Sequence, residues 1–391
     1  MAGVAQLPFE QAHVLQLASG LLELQAQGAI HPVRTAVGDP AWLITSYAEV
    51  QRLYDDERLG MSHPEPDTAA RPHESALFGG PLRNFETEQA DHARKRALLQ
   101  PHFTPKRLQA LRPAVDALTT RLLDEIVANG QPADLHAAVA LQLPLLVLCE
   151  LLGVPHEDSE QLRAWTTDGA NTHDRARSER GLSQLSSYSQ QLVARKRRQP
   201  GDDVISRLCA TEGLSDDEAA RISTGLLWAG YESTVPRIGF GALLLLAHRE
   251  QWHALVCDPA LAPKAVEETL RAARSGTAVI PRYARTDIEI DGFTVKAGEL
   301  VLLGIGAANH DPMVFANPDR VDITRKSSGH LTFGHGGRFC MGAPLARIEL
   351  VAVFSQLASR FPAMRLAVDV EELKLRTDVL FGGLVELPVR W

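Results

Sequence analysis

The segment that most constrains the fold is a long helix predicted to begin after Ser215 and to run to Leu246. Ser215 and Glu218 form a capping-box pattern at its start. Apolar residues occupy more than one face around its middle, which is typical of a helix buried at the centre of a protein. The helix also contains Pro236, which cannot donate a hydrogen bond to the carbonyl of Glu232. We therefore expect a break beside a buried carboxylate, either as a tolerated kink or as part of a functional site.

Helical patterns dominate the chain from about residue 88 to 275, and short β patterns flank them. The β-rich parts fall roughly at residues 28–60 and 283–304, and a further helix is expected from about Ala343 to Arg360. Residues 60–85 are rich in proline, glycine and small polar side chains, which favours a long loop that forms a pocket wall. The predicted fold class is mainly α with small β regions (α+β). The 391 residues allow two domains or one domain wrapped around a cofactor, and composition does not choose between them.

Charge and cysteine content argue against several classes of protein. The formal net charge of −8 disfavours nucleic acid or an anionic membrane as the main partner, because both need clustered positive charge. The N-terminus has no Lys or Arg ahead of an apolar core, so no secretory signal is expected. The longest uncharged stretch near the middle, Leu135 to Cys149, is too short to span a bilayer, so no membrane anchor is expected. The four scattered cysteines fit a reduced, cytoplasmic protein.

The segment Phe333–Gly342, which reads FGHGGRFCMG, carries the strongest chemical signal. Its glycines let the backbone turn tightly and approach a flat partner, and Cys340 lies just ahead of a predicted helix. Amides at a helix N-terminus stabilise a thiolate, so we expect a lowered pKa for Cys340. For a bare Cys-x-Gly, an ordinary glycine-rich loop with a buried cysteine would be the better interpretation.

The complete string resembles the haem-binding loop of the cytochrome P-450 family, Phe-Gly-x-Gly-x-(His/Arg)-x-Cys-x-Gly, at every fixed position. The resemblance implies that Cys340 is the metal ligand, bonded to the haem iron through its sulfur. It also implies that Arg338 contacts a haem propionate. Phe333, Gly334 and Gly342 take the family's fixed positions around the cofactor.

The segment Ala229–Thr234 resembles the family's oxygen-activation motif. The resemblance implies that Glu232, Ser233 and Thr234 hold water and relay protons, with Ala229 beside the haem. Ser233 stands where threonine is usual. Serine keeps the hydroxyl but loses the methyl group that restricts its rotamer, so the relay is expected to survive with looser positioning.

A third similarity is the pair Glu268 and Arg271, whose spacing of three puts both side chains on one helix face. Alone, such a pair is usually a solvated surface feature. In the family it is structural and locks onto a later arginine, which the resemblance implies is Arg320.

Further resemblances imply propionate contacts from two helix positions and one strand position. His92 and Arg96 match a His-x-x-x-Arg pattern, although the usual Pro-Pro before the histidine is absent, and Arg282 matches another propionate-binding arginine. The planar guanidinium suits carboxylates because it donates two parallel hydrogen bonds. Without that context, His92 and Arg96 would equally fit a solvated basic helix face.

The resemblance covers nearly the whole chain and implies one triangular domain, residues 1–391, that encloses haem b. It implies an O2-dependent monooxygenase that hydroxylates or epoxidises a bulky apolar small molecule, such as a polyketide, peptide or terpenoid intermediate of secondary metabolism. By family analogy the substrate pocket includes Trp228, Thr277, Val279, Ile280, Leu380 and Phe381.

Electrons are expected from NAD(P)H through a ferredoxin and a ferredoxin reductase. The expected docking face comprises Lys95, Lys106, Arg107, Arg338 and Arg347. Two other function classes stay open: a haem-thiolate enzyme for peroxide-driven oxidation, phenol coupling or isomerisation, and a non-catalytic haem-binding accessory protein. The Glu232–Ser233 pair argues against both.

Overall fold

Helices form most of the computed structural model, which describes residues 4–273, 279–326 and 329–391. The helices are α1 (Ser19–Gln27), α2 (Tyr47–Tyr54), α3 (Glu88–Leu99), α4 (Pro105–Gln109), α5 (Arg112–Asn129), α6 (Leu143–Leu152), α7 (Ser159–Gly169), α8 (Arg175–Arg198), α9 (Val204–Cys209), α10 (Asp216–Glu232), α11 (Val235–Ala247), α12 (Arg249–Cys257), α13 (Ala262–Ala272), α14 (Ile305–Ala308) and α15 (Ala343–Arg360). No helix in these ranges is long and apolar enough to cross a membrane.

The strands form one larger sheet and two small ones. They are β1 (Ala5–Gln6), β2 (Ile30–Arg34), β3 (Pro40–Ile44), β4 (Leu59–Gly60), β5 (Ala133–Asp134), β6 (Val279–Ala284), β7 (Ile288–Ile290), β8 (Phe293–Val295), β9 (Leu300–Gly304), β10 (Arg365–Leu366) and β11 (Pro388–Arg390). The six-stranded sheet has the order β1-β2-β3-β9-β6-β4 and joins the two predicted β-rich parts, with β3 and β9 running parallel. The C-terminal strand β11 lies between β10 and β5. The mainly helical prediction is confirmed.

The central helix is two helices, which corrects the prediction of one helix with a kink. α10 ends at Glu232 and α11 begins at Val235, because the amide of Thr234 donates to the carbonyl of Tyr231 at 3.1 Å and leaves the α-helical ladder. Pro236 lies in the first turn of α11, where its missing N–H costs nothing. The expected break beside Glu232 is therefore confirmed, with a different geometry.

The capping box at the start of α10 is only half formed. The hydroxyl of Ser215 accepts from the amide of Glu218 at 3.2 Å, as predicted. The Glu218 carboxylate does not reach back, because it forms a bidentate ion pair with Arg94 of α3 at 2.8 and 3.0 Å. This ion pair joins the start of the central helix to the helix that carries His92.

Packing buries α11 almost completely, and α10 shares the same hydrophobic core with α5, α6 and α15. The long segment between β4 and α3 contains no helix or strand, as the composition of residues 60–85 predicts. The two central helices and this loop bring together the side chains that the sequence marks as functional.

The Glu268–Arg271 pair is a buried structural ion pair, but its third member is not Arg320. Arg271 donates to both carboxylate oxygens of Glu268 at 2.8 and 2.9 Å, and both side chains are almost fully buried. The guanidinium that joins them belongs to Arg325, at 3.1 Å from Glu268. Arg320 contributes only its backbone carbonyl, which accepts from Arg271 and Arg325. The prediction chose the wrong arginine because the spacing within an irregular loop does not reveal which side chain turns inward.

Candidate functional site

The cysteine loop is held in a narrow turn by its own backbone. The amide of Cys340 donates to the carbonyl of Phe333 at 2.9 Å. Gly334 and Gly336 have φ angles of 78° and 54°, which other residues adopt at a cost. A Cβ on Gly336 would also collide with the Asp55 carboxylate at 1.5 Å. Glycine is therefore required at these positions, while Gly342, with a φ of −79°, caps the start of α15 without strain.

Cys340 is exposed, although protein surrounds its thiol on most sides. This combination is expected for a side chain that faces an internal cavity. Burial raises the pKa of Cys340 above its usual value. Hydrogen bonds from the amides of Gly342 and Ala343 and the charges of Arg96 and Arg347 oppose this shift. The prediction of a lowered pKa was therefore wrong for the thiol alone: the helix N-terminus is present, but the loss of solvation outweighs it.

A network on α13 and α15 braces this loop. Arg347 donates to both oxygens of Glu267 at 2.6 and 2.9 Å, and its guanidinium lies 4.6 Å from the ring centre of Phe333. His330 lies 3.3 Å from the same carboxylate. Although burial acts to raise the pKa of Glu267, these hydrogen bonds from His330 and Arg347 lower it to about 2. Glu267 therefore stays ionised and fixes the Phe333 ring next to Cys340.

A cluster of cations lies beside the cavity with a single carboxylate among them. Arg282 on β6 and Arg338 in the cysteine loop lie close enough to influence each other electrostatically, and Arg83 and Glu88 belong to the same cluster. Arg282 is almost fully buried and forms no ion pair with any described residue, and its guanidinium donates to the neighbouring carbonyl of Pro281 at 2.8 Å. Burial lowers its pKa to about 10.

Glu88 is already committed to other partners. Its carboxylate accepts from the amides of Met61 and Ser62 and from the Ser62 hydroxyl, and it lies 3.6 Å from Arg285 and 3.7 Å from Arg338. Burial acts to raise its pKa, but these hydrogen bonds and the charge of Arg338 keep it below the usual value. One carboxylate cannot neutralise the four arginines Arg83, Arg282, Arg285 and Arg338, so the cluster can accept further negative charge.

The two residues of the predicted His-x-x-x-Arg pair lie on α3 but point to different partners. Burial and then the charge of Arg338 lower the pKa of His92 to about 4, so its imidazole is neutral at pH 7. Arg96 donates to the carbonyl of Phe339 at 2.9 Å, so it supports the cysteine loop. Only His92 belongs to the cation cluster through Arg338.

At the junction of α10 and α11 two hydroxyls replace the missing amide hydrogen bonds. Ser233 donates to the carbonyl of Ala229 at 2.7 Å, and Thr234 donates to the carbonyl of Gly230 at 2.9 Å. Both hydroxyl oxygens keep free lone pairs. Ala229 is exposed although α10 is a core helix, so it lines an interior space.

Glu232 is a buried acid at this junction. Loss of solvation raises its pKa to about 8, while Arg376 opposes the shift and Asp378 adds to it. The side chain therefore carries a proton at neutral pH. An acid of this kind beside two hydroxyls can supply protons to the cavity.

The predicted pocket residues are partly brought together. A cavity of about 150 Å³ is lined by Val279, Ile280, Leu380 and Phe381, as predicted. Trp228 stands behind this wall, with its ring centre 5.7 Å from that of Phe78 and 5.9 Å from that of Phe381. Thr277 lies outside the described residues. The lining also includes Pro72, His73 and Phe78 of the loop that the sequence predicts as a pocket wall, together with Thr172 and His173. Sequence reasoning missed these other lining residues: Leu7, Pro8, Thr35, Ala36, Pro281, Leu302 and Thr377.

The predicted docking face for an electron donor is smaller than expected. Lys106 and Arg107 are exposed. Lys95 points inward, where a Cβ on Gly225 would lie 3.3 Å from its nitrogen, and burial lowers its pKa. Arg347 and Arg338 are engaged with Glu267 and the cation cluster. Long basic side chains on a helix therefore do not all reach the surface.

The residues present fit a haem. An accessible thiol at the start of α15, two glycines that allow close approach and a cation cluster with an excess of positive charge fit the sulfur ligand, the flat ring and the propionates of haem. Buried arginines without acids are otherwise strongly destabilising.

Comparisons with known proteins agree with this interpretation. Pentalenolactone synthase of Streptomyces exfoliatus is 41% identical over 399 residues, and the match covers 100% of both chains. The structure of substrate-free cytochrome P-450 PimD, a polyene macrolide antibiotic pimaricin epoxidase, is 40% identical, with a TM-score of 0.90 and full coverage of both chains. The chain belongs to the cytochrome P-450 family. The family model Cytochrome P-450 matches residues 260–380. Mycinamicin IV hydroxylase/epoxidase of Micromonospora griseorubida is 38% identical over 395 residues, with 98% of each chain covered.

This cytochrome P-450 is therefore an enzyme of a monooxygenase family that uses haem and O2, as the sequence predicts. Its mainly helical fold with small sheets is the fold of its structural relatives. Sequence reasoning did not find Arg83, Glu88, Glu267 or Arg237. Arg237 carries the one charge in the otherwise apolar segment Val235–Ala247, and this was an available signal. The other three lie among further charged residues in ordinary loops and helices.

Proposed function

We propose that this cytochrome P-450 inserts one oxygen atom from O2 into a bulky apolar natural-product intermediate by hydroxylation or epoxidation. The observation that carries the proposal is Cys340, an exposed thiol in a glycine loop at the start of α15 that receives hydrogen bonds from the amides of Gly342 and Ala343. The apolar pocket wall of Val279, Ile280, Leu380 and Phe381 supports an apolar substrate. The names of the relatives, which refer to pentalenolactone, mycinamicin and pimaricin, support a role in natural-product tailoring.

In this proposal the cation cluster and the cysteine loop hold the cofactor. Cys340 would bind the iron, and Arg282, Arg338 and neutral His92 would donate hydrogen bonds to the propionates. Arg96 acts through the cysteine loop, since it donates to the carbonyl of Phe339. Haem, when bound, supplies the iron centre at which O2 is reduced and the organic molecule is oxidised.

Proton delivery is proposed to run through the junction of α10 and α11. Glu232 holds a proton at neutral pH because its pKa is about 8. Ser233 and Thr234 accept through the lone pairs that their bonds to the carbonyls of Ala229 and Gly230 leave free. Each hydroxyl can therefore accept a proton on a free lone pair and pass its own proton on when its bond to the backbone carbonyl opens.

The electron source is part of the same proposal. We propose NAD(P)H as the donor, with a ferredoxin and a ferredoxin reductase as partners that approach near the exposed Lys106 and Arg107. We also propose that residues 1–391 form one domain and act in the cytoplasm. The large shared core of α5, α6, α10, α11 and α15 supports the single domain.

A carbon monoxide spectrum tests the proposal. The reduced protein with carbon monoxide should show the red-shifted Soret band of thiolate ligation, and Cys340→Ser should abolish it. Cys257→Ser is the matched control, because Cys257 is also exposed but lies on the outer helix α12. A red-shifted band in Cys340→Ser would refute the ligand assignment.

The reaction itself needs a second measurement. Turnover of terpenoid and macrolide candidates should require reductase, ferredoxin and NAD(P)H together, with one atom of 18O2 appearing in the product. Oxidation that runs only with peroxide, or a product without labelled oxygen, would reject the monooxygenase reaction.

A further inference from the structure

Arg237 is a half-buried cation of the core helix α11 and has no partner among the described residues. It is the only residue between Val235 and Leu246 that keeps partial accessibility. No described residue accepts a hydrogen bond from its guanidinium or forms an ion pair with it. Loss of solvation lowers the pKa of Arg237 to about 10 and is the sole cause of this shift. No described carboxylate therefore lies close enough to raise the pKa again. Because the rest of α11 is buried in the core, the partial accessibility of Arg237 means that its side chain faces an interior space.

Arg237 continues a line of cavity-facing residues. Ala229, Ser233 and Arg237 are spaced by four, and each is accessible where its helical neighbours are largely buried. Ser233 and Thr234 both keep right-handed helical backbone angles across the junction, so the face is not rotated away. Arg237 therefore lies one turn beyond the proposed proton-relay hydroxyl.

The haem propionates do not account for this charge. The cations that shift the pKa values of Arg282, His92 and Arg338 are members of their own cluster, and Arg237 is not among them. In the proposed function both propionates of the haem belong to that cluster. An additional anion has to come from elsewhere.

The pocket wall lies next to α11. A Cβ on Gly383 would be 3.6 Å from the Cβ of Pro236, the residue before Arg237. Gly383 follows the segment with Leu380 and Phe381, which line the pocket. The N-terminal turn of α11 therefore meets the region that holds the substrate.

We propose that Arg237 pairs with a carboxylate of the organic substrate, so that this enzyme oxidises apolar molecules that carry one acidic group. This inference rests on the proposed function. A planar guanidinium binds a carboxylate through two parallel hydrogen bonds, and the pair gains strength where water is excluded. The apolar wall then selects the hydrocarbon body, and Arg237 sets its orientation.

Matched acids and methyl esters test the inference on the haem-loaded enzyme. Phenylacetic acid, dehydroabietic acid and their methyl esters cover a range of size, and their dissociation constants follow from shifts of the Soret band at pH 7. The wild type should bind at least one acid roughly 10- to 100-fold more tightly than its ester. Arg237→Gln should remove this preference, and Arg237→Lys should keep part of it.

The matched control is Arg221→Gln, which changes an exposed arginine of α10 and should leave the preference unchanged. No preference for any acid in the wild type, or a preference that survives in Arg237→Gln, overturns the inference. If Arg237→Gln weakens cyanide binding relative to imidazole but keeps the acid preference, the partner is an anion on the iron and the substrate assignment is wrong. The thiolate band of the wild type separates these results from a failure of the proposed function.

Discussion

Replacing Glu232 with glutamine should make the protein more stable and less active. Burial raises the pKa of Glu232 from an ordinary value of 4.5 to about 8. In the unfolded chain the carboxyl ionises near its ordinary pKa, so between these two values the native state binds more protons. Stability therefore falls as pH rises from about 4.5 to 8 and then stays level. Each pKa unit corresponds to about 1.4 kcal/mol, which makes the penalty about 3 kcal/mol at pH 7 and about 5 kcal/mol above pH 8.

Denaturant unfolding of the haem-loaded protein at pH 5 to 9 measures this effect. Glu232→Gln should exceed the wild type by about 3 kcal/mol at pH 7, and the gain should shrink towards pH 5. The oxidation rate should fall by about 100-fold at least, since glutamine cannot deliver a proton. In the wild type the rate should decline above pH 8, as Glu232 loses its proton.

Glu218 provides the control, since it lies on the same helix. The side-chain hydrogen bond from Arg94 lowers its pKa, so its ionised form stabilises the fold and this contribution is lost on acidification. Glu218→Gln should therefore never be more stable than the wild type. A stability difference between Glu232→Gln and the wild type that does not change with pH, or a less stable variant at pH 8, would refute the reasoning.

Three further outcomes follow from the site. Arg325→Ala should lower the free energy of unfolding by about 3 kcal/mol because it strips a buried carboxylate of one partner, whereas Arg320→Ala should change it by less than about 0.5 kcal/mol; equal shifts in thermal melts would contradict the assignment. Arg282→Leu should speed haem loss to apomyoglobin, whereas Arg58→Leu, which changes an exposed arginine, should not; unchanged haem loss in Arg282→Leu would count against the propionate role. Ser233→Ala should lower the product formed per NAD(P)H consumed and Ser233→Thr should keep it, so equal yields would remove Ser233 from the relay.

Much of the site was predictable because local patterns with strict geometry carry it. The helix Ala343–Arg360 has the expected bounds. The cysteine loop was recognisable because its fold requires glycine at fixed positions. At Gly336, for example, a Cβ would clash with the Asp55 carboxylate.

The rest depends on contacts between distant segments. Arg325 and Arg320 are equivalent in sequence, and only the folded loop turns one guanidinium towards Glu268. The pKa of Cys340 followed the same logic, because sequence reveals the helix N-terminus but not the loss of solvation that outweighs it. In the sequence, Glu88 resembles an ordinary acidic residue in the first turn of a helix. Only the structure shows that Met61 and Ser62 donate hydrogen bonds to its buried carboxylate.

The buried charges of this protein fall into two groups that differ in how they are compensated. Glu268 and Arg271 satisfy each other and accept further partners from the chain itself, so they stabilise the fold without any ligand. Glu232, Arg282 and Arg237 form no ion pair with any described residue, and an unpaired charge away from water costs several kcal/mol. Selection tolerates such a cost where function requires it. In the proposals made above, the partners are a proton for Glu232, a propionate for Arg282 and a substrate carboxylate for Arg237, so all three residues would surround the space that holds cofactor and substrate.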